Sequence, residues 1–306
     1  PVWNKSYREH SIIGSQASQT FEEAKQAVND LNWEYPFFVD ADHINLSNVD
    51  FFLGSSNFYT LDVAEEIGKK ASDDDIDRFI QKHKCYIGEM KLPDIEDTFQ
   101  VTEELMRCIA DKYLYACQQA EKIYKHIGSN IKIENYVIEV SMDETDEPQT
   151  PLEMFFILAA LADLNIPVQT IAPKFSGAFY KGVDYVGDVA RFEKEFAQDV
   201  AVIKRAVRDF GLNPDLKLSV HSGSDKFKLY PIIYKVIKQY DAGLHLKTAG
   251  TTWLEEVIGL ADSGTDGLEL AKSIYIHCLD RSEELIGPYR TVLDVDEKNL
   301  PSKEEI

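Results

Sequence analysis

Several apolar runs in this sequence end in side chains that ionise or bind metals. Phe37-Phe38-Val39 leads into Asp40-Ala41-Asp42-His43, and Tyr136–Met142 leads into Asp143-Glu144. Val168–Ile171 leads into Ala172-Pro173-Lys174, and Leu216–Val220 into His221-Ser222-Gly223-Ser224-Asp225-Lys226. Leu244-His245-Leu246 leads into Lys247-Thr248-Ala249-Gly250-Thr251. A hydrophobic core has no use for charge at so many strand ends, whereas a site built at the carboxyl ends of parallel strands does. Neutral imidazoles at His43 and His221 suit a divalent transition metal, with carboxylates to complete the shell. The remaining carboxylates then fit general acid–base work.

Residue by residue, several roles stay open. His245 is a third candidate ligand, but it lies inside its strand, where side chains alternate and it can face a helix. His10, His83, His126 and His277 sit in polar or helical contexts and receive no role. Asp42 and His43 are neighbours, so on an extended strand they point to opposite faces. They reach one site only if the backbone turns there; otherwise Asp42 is a cap or turn residue. Glu139, Ser141 and Asp143 share one strand face, and Ile138, Val140, Met142 and Glu144 the other. The apolar set should pack outward and Glu139 inward, while Glu144 lies beyond the strand and can turn in. Glu139, Asp143 and Glu144 therefore all remain candidates for the second acid–base group.

A loop from Lys174 to Asp188 carries glycines, lysines and aspartates, and Asp188 enters a helix, where aspartate is a common N-cap. Lys174, Lys181, Lys226 and Lys247 supply the local positive charge an acidic substrate requires. The helix start at Gly250-Thr251-Thr252 adds backbone N–H donors for an anion.

These strings must be positioned by alternating strands and helices. The expected strands are Ser11–Gly14, Phe37–Asp42, Tyr59–Val63, Tyr136–Met142, Val168–Ala172, Leu216–His221 and Gly243–Thr248, with a weak last one at Thr291–Val295. Thr20-Phe21-Glu22-Glu23 and Thr150-Pro151-Leu152-Glu153 read as capping boxes. Asp73-Asp74-Asp75 reads as a helix start, because carboxylates favour that end of the dipole. A helix from Glu103 to Ile127 carries an apolar stripe through Leu105, Ile109, Tyr113, Ala116, Ala120, Ile123 and Ile127, and Gly128 should end it. This is an α/β pattern, and the expected form is one TIM-type (β/α)8 barrel domain over residues 1–306 with a frayed polar tail from about 296. The rival is a doubly wound open sheet, but no GxGxxG or GxxxxGK[ST] follows a strand, which argues against a nicotinamide enzyme or a P-loop NTPase.

The chain has 306 residues, 44% hydrophobic, with formal net charge −21. That charge opposes binding to nucleic acid or an anionic membrane. No apolar run is long enough for a membrane helix, and no secretory leader is visible. Cys85, Cys108, Cys117 and Cys278 form no CxxC pair, so all four are expected to be free thiols of a cytoplasmic protein, with Cys108 and Cys117 on different faces of one helix. Self-association into a homo-oligomer is compatible with the sequence.

The strings resemble the tagaturonate/fructuronate 4-epimerases of bacterial hexuronate catabolism. The resemblance rests on Phe38–His43, Val140–Thr145, Ala172–Lys174, Lys181–Asp188, Val220–Phe227 and Leu246–Thr251, and it runs from about residue 37 to 260. HSGSDKF and KGVDYVGD are its most specific parts; where the family carries a Tyr-His pair, this sequence has Tyr289-Arg290. The resemblance implies Asp42 as proton acceptor, Glu144 as proton donor, and His43, Asp188 and His221 as ligands of a Zn, Mn, Fe or Ni ion. His245 then becomes a further ligand or a substrate contact, beside the lysines. No nucleotide cofactor is implied. The implied reaction is epimerisation at C4 of a 2-ketohexuronate, whose C4 hydrogen is not α to the ketone, so retro-aldol cleavage of C3–C4 and re-addition is the expected route. Rival readings are another metal-dependent ketose isomerase or C3-epimerase, metal-assisted hydrolysis, and a non-catalytic sugar-acid-binding protein.

Overall fold

The computed structural model describes residues 1–93, 95, 97–131, 136–181, 183–248, 251–287, 290 and 296–306. In chain order the elements are β1 (Val2–Ser6), α1 (Tyr7–Ile13), α2 (Ala17–Asp30), β2 (Phe38–Ile44), β3 (Phe58–Asp62) and α3 (Asp73–His83). There follow β4 (Gly88–Lys91), β5 (Thr98–Val101), α4 (Glu103–Asn130), β6 (Val137–Ser141), α5 (Pro151–Asp163) and β7 (Thr170–Ala172). The last are α6 (Val189–Phe210), β8 (Lys217–Gly223), α7 (Tyr230–Tyr240), β9 (Leu244–Thr248), α8 (Thr251–Asp262), α9 (Thr265–Asp280) and α10 (Ser282–Ile286). The main sheet has seven strands in the order β1-β2-β3-β6-β7-β8-β9. Its pairings from β1 through β8 are parallel, while β4 and β5 form a separate antiparallel hairpin.

The described strands of this sheet thus number seven where the barrel reading expects eight, with β1 and β9 at the two ends of the order. The expected strand at Thr291–Val295 lies outside the described residues. The one expected at Ser11–Gly14 is instead the end of α1. Ser6 and Glu9 form a capping box that starts this helix, and Gly14 closes it at φ +66°. The first strand is β1, an unforeseen edge that pairs with β2 from Val2↔Phe38 to Ser6↔Asp42. Thr20 does not start a helix either: α2 begins three residues earlier, with reciprocal bonds between Gln16 and Gln19, and Thr20 is buried inside it. Gly128 does not stop α4, which continues to Asn130.

The chain divides into two compact units. One is Pro1–Phe175, Lys194–Ser219 and Val236–His245; the other is Ser176–Glu193, Val220–Lys235 and Leu246–Ile306. In the first, the sheet curls. Phe58 on β3 stacks on His245 of β9 with ring centroids 5.0 Å apart, although β6, β7 and β8 intervene in the strand order. At ~4.8 Å per strand a flat sheet would hold β3 and β9 roughly 19 Å apart.

The core of this unit is dominated by α5. Its residues from Leu152 to Leu161 are buried all round except Glu153, so it behaves as an internal helix rather than an amphipathic one. α4 packs along it with Ile109, Tyr113, Ala116, Ala120, Ile123 and Ile127 of the stripe buried, while Leu105 at its start is only half-buried. Cys117 is buried and Cys108 exposed on the same helix, and all four cysteines are free. Phe79, Tyr86, Phe155, Phe156 and Phe210 close the unit's aromatic cluster around His83. His83 holds Asp163, at the end of α5, at 2.8 Å.

In the second unit α8 and α9 pack on each other. The polar tail is tied rather than frayed, through Tyr275 Oη donating to Pro301 O at 3.2 Å and a Lys303–Asp280 ion pair. Arg290 pairs with Glu283, and Tyr289 lies outside the described residues. No helix among the described residues is long and apolar enough to cross a membrane.

The expected box at Thr150–Glu153 is present in full. Thr150 Oγ1 accepts the Glu153 N–H, and Glu153 accepts from the Thr150 N–H at 2.7 Å. Glu153 also receives Lys112 at 2.8 Å and the Tyr113 hydroxyl at 3.1 Å. Burial works against its charge, but these donors hold the carboxyl below its ordinary 4.5. Such a group stabilises the fold above its unfolded pKa and loses that contribution as pH falls through the folded value. Glu153→Gln should therefore cost about 1 kcal/mol at pH 7 and shrink the stability difference between pH 7 and pH 4, read by urea unfolding at both.

Candidate active site

The site in the first unit begins with a break in β2. Its register against β3 runs Asp40↔Phe58 and Ala41↔Tyr59, then jumps to Ile44↔Leu61. Inside that jump His43 adopts φ +51°. Left-handed backbone at a residue other than glycine costs of order 1–3 kcal/mol and persists only where the surroundings impose it. Here it answers the geometric objection to adjacent residues sharing a site. The turn brings Asp42 and His43 to the same side, with His43 Nδ1 at 2.7 Å from Asp42 Oδ1. A carboxylate on Nδ1 fixes the ring and leaves Nε2 pointing away from it. Nε2 lies 3.5 Å from Asp143 Oδ1.

Alternation supplies the rest of this acidic face. Asp143 receives a hydrogen bond from Ser141 Oγ, two residues back at the end of β6. Below it Thr60 Oγ1 lies 3.0 Å from Asp40 Oδ1 and 3.2 Å from Glu139 Oε1, and all three residues are buried. Glu139 thus faces inward with Asp40, one layer beneath Asp42 and Asp143. Asp62, at the end of β3, accepts the Ala64 N–H at 3.0 Å. Burial holds its carboxyl above the ordinary range, against the opposing pull of His43. Glu144 follows Asp143 off the strand end. Burial raises its pKa as well, His43 lowers it, and Asp143 and Asp62 raise it further. Lys174 follows β7, with its backbone N–H donating to Gln149 Oε1 at 2.8 Å. His245 stacks on Phe58, the first residue of β3, so its ring sits toward the amino ends of the strands rather than at their carboxyl ends.

The second unit holds a compact loop, residues 176–188, built around Tyr185. Ala178 and Val186 pair as an antiparallel bridge. Tyr185 is buried between Gly177 and Gly187: a Cβ on either glycine would come within 2.5 Å of the tyrosine hydroxyl. That hydroxyl donates to Ser176 O at 3.0 Å and approaches Asp188 O at 3.4 Å. The Tyr-x-Gly-Asp spacing thus has a mechanical reading: the ring fills the loop, and the glycine lets the chain close over it. Asp188 then caps α6, its Oδ1 accepting from Ala190 N at 2.9 Å and Arg191 N at 3.1 Å.

His221 lies on β8, ahead of Ser222, whose hydroxyl donates to Lys247 O at 3.1 Å. Lys247 and Lys226 are both buried. The stem of Lys181 runs beside Gly223, 3.3 Å from where a Cβ would stand. Gly182, Ala249 and Gly250 lie outside the described residues, and the anion-binding helix start read at Gly250 lies there with them.

The backbone turn that Asp42 and His43 need in order to share one side is present at His43. Sequence reading left Asp143 among three candidate carboxylates, and it missed Asp62 and Tyr185. Asp62 had a signal, since it also ends an apolar strand, Phe58–Asp62. Tyr185 had one in the glycines that flank it.

Comparison with known proteins adds a family. The sequence profile of the family described as UxaE, tagaturonate epimerase, matches residues 1–306. A tagaturonate/fructuronate epimerase of Thermotoga maritima is 28% identical over 316 residues, covering 99% of this chain and 61% of the relative. The native crystal structure of the fructuronate-tagaturonate epimerase UxaE from Cohnella laeviribosi superposes with a TM-score of 0.78 at 27% identity, covering 99% of this chain and 61% of that one. Its glycerol complex gives 0.78 at 26%, with the same coverage. The chain spans 61% of the length of these relatives.

The loop geometry makes a direct prediction. Gly177 sits at φ +83° with the tyrosine ring against it. Gly177→Ala should destabilise the protein by about 1–3 kcal/mol, measured by denaturant unfolding, while Tyr185→Phe, which keeps the ring and loses its hydrogen bonds, should cost about 1 kcal/mol.

Proposed function

We propose, from the premise that the chain belongs to the tagaturonate epimerase family, that it interconverts 2-ketohexuronates of the fructuronate and tagaturonate kind by inverting C4. The observation that carries this reading is the turn at His43. It sets a carboxylate and an imidazole side by side at a strand end, with further carboxylates, Asp143 and Glu144, at the next strand end but one.

The donor chemistry fits a divalent ion. His43, Asp143 and His221 each offer one ligand atom, two imidazole nitrogens and a carboxylate oxygen, a set that suits Zn²⁺, Mn²⁺, Fe²⁺ or Ni²⁺. Asp188, the carboxylate implied by family resemblance, commits Oδ1 to capping α6, and its other oxygen completes the set in this reading. A bound ion would supply Lewis acidity toward the C2 carbonyl of the substrate.

The chain's own groups carry the protons. Asp42 takes the proton from the C4 hydroxyl as the C3–C4 bond breaks, and the bonding pair passes to C3 and is delocalised toward the C2 oxygen. C4 becomes an aldehyde carbon that keeps its hydrogen. Rotation presents the aldehyde's other face, C3 re-adds, and the proton returns to the C4 oxygen. Glu144 assists that return as the second acid. His43, held by Asp42 through Nδ1, keeps its ring fixed throughout. Lys174, Lys181 and Lys247 are the candidate cations for the substrate carboxylate, whereas His245, stacked on Phe58 toward the amino ends of the strands, takes no part. Free thiols at all four cysteines suit a reducing, cytoplasmic setting.

The test is direct. Metal-free protein reloaded with Mn²⁺, Zn²⁺ or Ni²⁺ and mixed with fructuronate should form tagaturonate, followed by NMR, and a chelator should stop it. A uronate panel with no interconversion would overturn the reading. His43→Ala and His221→Ala should each lose bound metal and activity together, by elemental analysis and assay. Retained metal with lost activity in both would remove these histidines from the ligand set. Asp143→Asn and Asp188→Asn, compared in the same way, should each lower metal affinity about tenfold or more; a carboxylate whose variant binds metal normally leaves the set.

A further inference from the structure

The second unit contains a buried cation that the proposed reaction does not use. Lys226 is 1% exposed. Its ammonium donates to Ser224 O at 2.7 Å, Ser224 Oγ at 2.9 Å and Tyr180 O at 3.1 Å, with Asp225 O at 3.5 Å. An ammonium has three N–H donors and no more. All three are engaged, so none remains for a substrate carboxylate in this arrangement.

The groups it holds belong to two separate stretches of chain. Tyr180 lies in residues 176–188, the loop that ends at Asp188; Ser224 lies in the turn that follows His221 on β8. Weaker contacts stitch the same seam. Ser224 Oγ approaches Val183 O at 3.4 Å, and Asp184 Oδ1 accepts from Lys228 N at 3.4 Å. The Lys228 ammonium reaches Tyr185 O only at 3.5 Å. Gly223, at φ +68°, lets the turn approach so closely that a Cβ there would stand 3.0 Å from Phe179 O. Among these contacts the short ones from a charged donor are those of Lys226, and charge-assisted bonds are the stronger kind.

We infer that Lys226 is a positioning residue, whose ammonium ties the loop bearing Asp188 to the turn that follows His221 and so fixes two ligands of the proposed ion relative to each other. The tie itself stands on the contacts above; its consequence for metal rests on the proposed epimerase function. The energetics favour placement over stability as the reason for a lysine here. Burial pushes the ammonium down to about 8, partly offset by Asp184 and Asp225. A buried charge costs folding energy that an apolar chain of similar length would not. What the charge provides is one donor shared by carbonyls of two segments, which buried backbone requires in some form.

Hydrogen exchange on metal-free protein reads the tie without any assay of turnover. In Lys226→Met, amides of residues 176–188 should exchange about tenfold faster, with those of β2, β3 and β6 unchanged. Mn²⁺ affinity by calorimetry should fall about 10- to 100-fold. In the epimerase assay at saturating metal, kcat should fall more than KM rises. Ser224→Ala, which removes one acceptor and keeps the lysine, should raise exchange in the same segment by a smaller factor; it decides the question if Lys226→Met unfolds throughout. Unchanged exchange over 176–188 in both variants overturns the inference, as does a Lys226→Met effect confined to KM. If wild-type protein epimerises no uronate but the exchange result holds, the tie stands and the activity falls; if it epimerises and exchange is unchanged, the tie alone falls.

Discussion

The acidic site depends on one constraint, the left-handed turn at His43. A parallel strand normally delivers alternate side chains to a site, so Asp42 and His43 would serve opposite faces of β2. The register jump between Ala41 and Ile44 and the positive φ at His43 cancel that alternation over one residue. The strain is compensated by the imidazole–carboxylate bond it permits, and Ile44 returns to the buried side immediately after. Everything in the first unit's acidic face is arranged around the ring so fixed. Asp143 meets its other nitrogen and is itself held by Ser141, and Asp40, Thr60 and Glu139 form a buried polar layer beneath.

The second unit solves a different problem, that of making a loop rigid. Tyr185 replaces the missing secondary structure with a plug, and two glycines give it room. Asp188 is then presented by a helix cap whose geometry leaves the carboxylate little freedom. Strands position the first set of side chains and a packed loop the second. This matches the general division in which scaffold strands give precision and loops give specific chemistry.

Much of this was legible in the sequence, for reasons that can be named. Thr150-Pro151-Leu152-Glu153 announced α5 because capping is local chemistry, and Asp73–Asp75 announced α3 for the same reason. The strand ends at Asp42, Asp143, Lys174, His221 and Lys247 were visible because an apolar run stops there. The turn at His43 was not visible, since its neighbours are ordinary strand formers and only pairing with β3 reveals the register jump. The first strand was missed because Val2–Ser6 is a half-exposed edge with little apolar pattern, and Ser11–Ile13 looked like a strand because α1 is too short to display helical periodicity. Eight strands were expected from alternation, but the described residues supply seven to the sheet. Lys226 was read as a substrate contact because sequence shows a charge without showing its partners.

The proposed chemistry turns on whether the C4 hydrogen ever leaves its carbon. Cleaving C3–C4 inverts the centre without breaking C4–H, whereas proton abstraction exchanges that hydrogen with solvent. The decisive measurement is the fructuronate–tagaturonate interconversion run in deuterated water and followed by NMR at C4. Retro-aldol chemistry at this site predicts product that retains protium at C4 through complete equilibration. Deuterium entering C4 in step with turnover would contradict it.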